Sequence, residues 1–234
     1  MIAGLQKMTL LDFPGKVACT VFFQGCNFRC PFCHNSGLLP LDGEEFMTED
    51  ELIAFLQKRI GLLDGVCLTG GEPTLYKGLP ALIRRIKALG FAVKLDTNGS
   101  RPEVLKALAE ENLLDYVAVD VKNGPDRYCE TAGMPESLLP RVEETLKFLL
   151  DGQLDYELRT TVVAQFHNEA TVSAIGPWLE KLSSKKAKRF FLQCFVGRDS
   201  VLSGGLTPPT AENMALYKEI LASCADFVEI RGMD

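Results

Sequence analysis

The chain is predicted to be an α/β protein whose parallel sheet curls into a barrel that stops short of closing. Three observations lead there. Short apolar runs rich in β-branched residues alternate with amphipathic helical stretches in six or seven units, the pattern of strand–helix repeats with helices outside a parallel sheet. The 234 residues fit one such domain, 1–234, and can bury a sizeable core. The glycine-, cysteine- and aspartate-bearing motifs all fall at the ends of predicted strands, where parallel α/β folds collect their sites.

The elements follow in order. Residues 17–23 are apolar and β-branched enough for a buried strand that ends at a cysteine loop, 24–35. Thr48 and Glu51 form a capping box that opens a helix to about residue 59. Residues 66–69 are a strand before Gly70-Gly71, and 79–89 a helix closed by Gly90. Residues 91–96 are a strand, after which Ser100 and Pro102 start a helix. Residues 116–122 are a strand, and 137–150 a helix with Ser137 as N-cap and Pro140 in its first turn. Strands at 156–164, 190–195 and 227–230 alternate with helices at 169–182 and 210–222. The segment 196–209 is the one long irregular stretch. It is expected to move when cofactor or partner binds.

The net charge of −6 creates no basic field to attract nucleic acid. The basic run Lys185-Lys-Ala-Lys-Arg189 reads as a solvated turn before a strand. Lys7, Asp12, Pro14 and Lys16 interrupt any signal-peptide core, and no later stretch is apolar enough to span a membrane. A cytoplasmic protein with reduced thiols is therefore expected. Cys19, Cys67, Cys129, Cys194 and Cys224 are isolated and read mostly as small core residues.

Cys26, Cys30 and Cys33 are different. They fall within eight residues, spaced C-x3-C-x2-C, so one loop could offer three thiolates to a metal cluster. A four-iron cubane usually takes four such ligands, and three would leave one iron open to another molecule. Other readings compete: a zinc site completed by His34, which would strain a loop where His34 directly follows Cys33; a c-type haem attachment through Cys30-Pro-Phe-Cys33-His34; or ordinary buried cysteines.

The cysteine pattern, with Phe32 before Cys33, resembles the signature of the radical S-adenosylmethionine (SAM) enzymes. Asp12-Phe-Pro-Gly-Lys16, Cys33-His-Asn35 and Leu68-Thr-Gly-Gly-Glu-Pro73 are similar to motifs of the glycyl-radical-enzyme activases in that family. The resemblance implies a partial (β/α)6 TIM-like barrel with a radical SAM core. It implies a 4Fe-4S cluster on Cys26, Cys30 and Cys33, SAM, and an activity that takes a hydrogen atom from a glycine of a partner glycyl-radical enzyme. Among partners it points to an anaerobic ribonucleotide reductase, with a flavodoxin- or ferredoxin-type electron donor. The span from Cys33 to Gly70 leaves no room for the ferredoxin-like insert that some activases carry.

By the same resemblance Gly70, Gly71 and Glu72 bind the SAM amino group, and Phe32 packs near the adenine. Asp96, Thr97 and Asp120 match a monovalent-cation site beside the SAM carboxylate, although Asp96-Thr-Asn98-Gly99 also reads as a plain tight turn. Lys122 and Asn98 match further SAM contacts, and Arg159 and Asp12 contacts to the substrate peptide. Gln193 stands near the place where a well-studied activase has a histidine. Strand alternation independently puts Lys94 with Asp96, Ala118 with Asp120 and Lys122, and Glu157 with Arg159 and Thr161, each on one polar face. So many inward charges must pair with each other or hold a polar ligand. His167 reads as a surface or loop residue.

Overall fold

The computed structural model describes residues 1–233. Among the described residues, eight strands follow one another in the sheet in chain order, with helices between them in sequence, so the α/β class is as expected. Two compact units divide the chain: Met1–Asn27, Gly37–Thr97 and Glu103–Val117 form the first, and Phe28–Ser36, Asn98–Pro102 and Ala118–Asp234 the second.

In the first unit, β1 (Ile2–Thr9) runs antiparallel to β2 (Ala18–Phe23). Polar and small residues at Gly4, Gln6 and Lys7 hide β1 from the sequence pattern. β2, β3 (Gly65–Gly70) and β4 (Ala92–Thr97) are parallel, and Thr20, Cys67 and Lys94 lie side by side in one row. α1 (Glu49–Gln57) begins at the expected capping box: the Thr48 hydroxyl accepts the Glu51 N–H at 3.2 Å, and the Glu51 carboxylate accepts the Thr48 N–H at 2.8 Å. α2 (Leu79–Ala88) buries Leu79, Leu82, Ile83 and Ile86, and α3 (Pro102–Glu110) precedes β5 (Tyr116–Asp120). Phe13 folds back under the starts of the strands, buried against Ala18 and Tyr116.

The second unit holds α4 (Pro125–Ala132), α5 (Leu139–Asp151), β6 (Tyr156–Val162), α6 (Glu169–Ser173), α7 (Ile175–Leu182), β7 (Phe190–Cys194), α8 (Ala211–Leu221) and β8 (Val228–Arg231). β6, β7 and β8 are parallel. Four expectations need correction here. α4 is an additional helix, signalled by Pro125 in its first turn and Gly133 at its left-handed end. The predicted 169–182 helix is two helices that meet at Ala174, because Pro177 has no N–H to give the Ser173 carbonyl and its ring crowds that carbonyl. Ser137 is no N-cap: it lies in a 3-10 turn, Glu136–Leu138, since Pro140 fits only the first turn of a helix that starts at Leu139. His167 sits in a loop as expected but is 3% exposed. Both of its ring nitrogens bond to backbone, which makes the imidazole a buried brace.

Among the described residues, no helix is long and apolar enough to cross a membrane.

Candidate functional site

In the first unit, parallel β2, β3 and β4 bring Phe23, Gly70 and Thr97 to the same end. The chain leaving β2 reaches Gly25, whose N–H donates to the Leu38 carbonyl at 2.7 Å, and then Cys26, whose N–H donates to Leu39 at 3.3 Å. The turn leaving β3 packs against this segment. Gly71 donates its N–H to Phe23 at 2.9 Å, and Glu72 donates to Gly25 at 2.7 Å. A Cβ on Gly71 would lie 2.1 Å from the Gly25 carbonyl oxygen, so no other residue fits there without moving backbone. The close approach that requires glycine is thus to the chain's own backbone, one residue before Cys26.

Glu72 is fully buried. Its carboxylate accepts the Thr74 N–H at 3.1 Å, the Thr74 hydroxyl, and the Thr97 hydroxyl at 2.7 Å. It therefore ties the end of β4 to the turn after β3. Asp96 points to the same face as Lys94, as alternation requires. Its carboxylate holds the Lys94 ammonium on one oxygen and accepts the Thr69 hydroxyl at 3.3 Å on the other. Asp12 lies at the opposite end of the unit's strands, in the turn between β1 and β2, where it accepts the Thr20 hydroxyl at 2.5 Å. The structure does not bring Asp12 to the end where Gly71 and Thr97 meet.

In the second unit, the cysteine loop continues from Phe28 to Ser36 against the end of α4. Arg29 donates its N–H to the Ala132 and Gly133 carbonyls at 3.2 and 3.1 Å, and the Cys30 thiol lies 3.3 Å from the Ala132 oxygen. Gly133 is left-handed, with φ of 58°, and a Cβ there would meet the Arg29 oxygen at 2.2 Å. The helix that sequence reasoning missed is therefore the seat of this loop. Burial pushes the Cys30 thiol up from its ordinary pKa, and the Lys122 ammonium pulls it the other way. The Phe32 ring is buried, 5.9 Å from that of Phe166, with the Lys122 ammonium 5.8 Å from its centre. His34 stacks on Phe195 at 5.4 Å, and its Nε2 bonds the Val196 carbonyl at 2.7 Å, so that nitrogen is not offered to a zinc ion. Among the described residues, no three His, Cys, Asp or Glu side chains converge on a single ion.

The inward charges of this unit form a ladder. Lys122 meets Asp120 at 2.9 Å, Arg159 Nε donates to the other Asp120 oxygen at 3.0 Å, Arg159 lies 3.9 Å from Glu157, and Arg231 meets Glu157 at 3.2 Å. Arg231 also stacks on Phe191. Burial would raise the Asp120 pKa, but the two cations outweigh it and hold the carboxyl below the usual carboxylate range. Burial would lower the Lys122 pKa, and Asp120 reverses this and raises it. Sequence alternation foresaw Asp120, Lys122, Glu157 and Arg159 but not Arg231, which a four-residue terminal strand gives little pattern to find. His167 Nε2 bonds the Lys122 carbonyl at 2.8 Å, and its Nδ1 accepts the Val163 N–H at 3.1 Å, which fixes the backbone at Lys122. Asn98 caps its own turn by accepting the Ser100 N–H at 2.9 Å. Gln193 stands on β7, paired in register with Thr161 and Arg231.

Comparison with known proteins places this geometry in context. The radical SAM superfamily pattern matches residues 20–172. A Methanocaldococcus jannaschii protein provisionally named a glycyl-radical enzyme activating enzyme is 34% identical over 185 residues, covering 75% of this chain and 74% of its own. A Thermococcus kodakarensis protein named a probable GTP 3',8-cyclase is 37% identical over 137 residues, but these cover 56% of this chain and 44% of the cyclase. A solved domain of the pyruvate formate-lyase-activating enzyme of Bacteroides vulgatus superposes with a TM-score of 0.57 at 18% identity, covering 72% of this chain and 99% of that domain. At that identity the likeness concerns the fold.

Proposed function

The chain belongs to the radical SAM superfamily, and from that premise we propose that it is a glycyl-radical-enzyme activase. The observation that carries the reading is the backbone contact between Gly71 and Gly25, which sets the Gly-Gly-Glu turn directly beside the start of the cysteine loop. A relative named for the same activity, matched over three quarters of both chains, supports it.

The superfamily implies a 4Fe-4S cluster and SAM. The donor set fits the cluster: three thiols in eight residues, with Cys30 buried and a cation nearby. Cys26, Cys30 and Cys33 would hold it. The Gly70–Glu72 turn, packed one residue from Cys26, fits a small amino-acid-bearing cofactor. When bound, the pair would supply the radical chemistry that hydrogen abstraction from a glycine requires.

The chain's own residues bind, orient and exclude. Gly70, Gly71 and Glu72 form the turn for the cofactor's amino group, and Glu72 keeps Thr97 in place through its 2.7 Å bond. Phe32 gives an apolar wall. Asp120 and Lys122, locked to each other and to Arg159, present fixed charge that needs no reorganisation when cofactor arrives. Asp96, Asn98 and Gln193 complete the proposed cofactor contacts, and Arg159 that to the substrate peptide; Asp12, held by Thr20 at the opposite end of the first unit's strands, is not among them. The partner we assign is an anaerobic ribonucleotide reductase, on the strength of the resemblance carried by the Cys33–Asn35 and Leu68–Pro73 motifs. The electron donor would be of flavodoxin or ferredoxin type, in the cytoplasm.

The test is anaerobic reconstitution with iron and sulfide, then mixing with such a reductase, SAM and a low-potential reductant. A glycyl-radical EPR signal on the reductase and release of 5′-deoxyadenosine are expected. No radical with a fully loaded cluster would refute the reductase as partner and leave the alternative, an activase of another glycyl-radical enzyme such as pyruvate formate-lyase. The partial similarity to GTP 3',8-cyclase favours one alternative, a radical SAM enzyme acting on a small molecule; conversion of GTP in the absence of any protein partner would establish that instead. One zinc and no iron in the purified protein would indicate a structural module.

A further inference from the structure

We propose that Lys94 is the built-in counter-cation of Asp96, so that the cofactor site works without a bound monovalent cation. The proposal takes SAM binding from the preceding reading and is independent of the partner.

The three residues that resemble a cation site do not fit a bound ion in this structure. Strand alternation puts Lys94 and Asp96 on one face of β4, and the register places Lys94 beside Cys67 of β3. Lys94 is 1% exposed, so its ammonium is not solvated by bulk water. It sits on one Asp96 oxygen, with the Cys67 sulfur 4.0 Å away, while the other Asp96 oxygen accepts the Thr69 hydroxyl. The Thr97 hydroxyl is directed to Glu72. In the second unit both Asp120 oxygens are taken, one by Lys122 and one by Arg159.

Charges withdrawn from water are either paired or coordinate metals, and here the partly buried Asp96 and Asp120 carboxylates are each paired with a cation of the chain itself. An incoming monovalent ion would have to displace a tethered ammonium or settle beside it against like-charge repulsion. Lys94 is fixed by covalent attachment two residues from Asp96, at an effective concentration no free ion reaches. Lys94 therefore acts as a positioning residue: it holds the Asp96 carboxylate at the end of β4.

The experiment measures SAM affinity by equilibrium dialysis on the anaerobically reconstituted protein, in potassium, sodium or choline salts. Choline is too large to enter a carboxylate site. The expected Kd agrees across the three salts within about twofold. A loss of more than about tenfold in choline would overturn the proposal. Lys94→Met keeps the length and removes the charge. It is expected to bind SAM weakly in choline and to recover with potassium, and a variant that binds as tightly as the parent in choline would overturn Lys94's role. Should this variant fail to fold, the salt series on the parent protein still decides. A cation-dependent affinity would leave the activase reading standing, and a failure to activate any partner would leave this result standing.

Discussion

Ser203 donates its backbone N–H to the carbonyl of Pro31 at 2.9 Å, in the middle of the cysteine loop. Leu202 does the same to Cys33 at 3.3 Å, and Ser36 reaches across to the Ser200 carbonyl at 2.6 Å. The irregular 196–209 segment is thus strapped over the loop by two main-chain bonds and by the His34 and Ser36 side chains, while Val196 and Leu202 keep 48% and 43% of their surface exposed. Ser203→Pro removes the shorter donor. It is expected to speed tryptic cleavage at Arg198 and to shorten the lifetime of the reconstituted cluster in air, read by its visible absorbance. An unchanged decay would mean the strap does not protect the loop.

Gly71→Ala places a methyl group within van der Waals overlap of the Gly25 carbonyl. Overpacking of this kind costs about 1–3 kcal/mol, and here the neighbour that must yield is backbone. The variant is expected to unfold at lower urea and to bind SAM more weakly even where it stays folded. Unaltered affinity in dialysis would show that the turn's contact with the cysteine loop is not required.

His167 makes stability depend on pH. Burial holds its folded pKa below the ordinary 6.5, while the Lys122 and Val163 carbonyls beside its two ring nitrogens favour the protonated form and oppose this. The unfolded chain therefore takes up the proton first as pH falls. The neutral ring's contribution is complete above about 6.5 and is lost progressively below it. His167→Gln is expected to flatten the dependence of the urea midpoint between neutral and mildly acidic pH. Parallel curves for parent and variant would exclude His167 as the source.

Thr48→Ala supplies a control outside the proposed cluster and cofactor contacts. Loss of the N-cap of α1 is expected to cost about 1 kcal/mol, with iron content and SAM affinity unchanged. A drop in iron content would show that α1 supports the cysteine loop.

Much of this protein is legible along the chain because its signals are local. The capping box at Thr48 and Glu51, the strand–helix alternation and the three cysteines within eight residues are each defined by neighbours in sequence. Local punctuation also explains the misreadings. Pro177 divides a helix that apolar periodicity alone would join, and Pro140 moves the start of α5 past Ser137. β1 escaped because an edge strand with much of its surface exposed needs no apolar alternation.

The sequence by itself determined the fold class, the thiols and the polar strand faces, since spacing and alternation are properties of the chain. Only the tertiary structure decided which charges meet: Lys94 with Asp96, Asp120 with both Lys122 and Arg159, Arg231 with Glu157, and His167 with the backbone of Lys122. The physical reason is that full or partial burial makes each of these groups seek a partner, and most of the partners lie on another element, at a distance that no local pattern records.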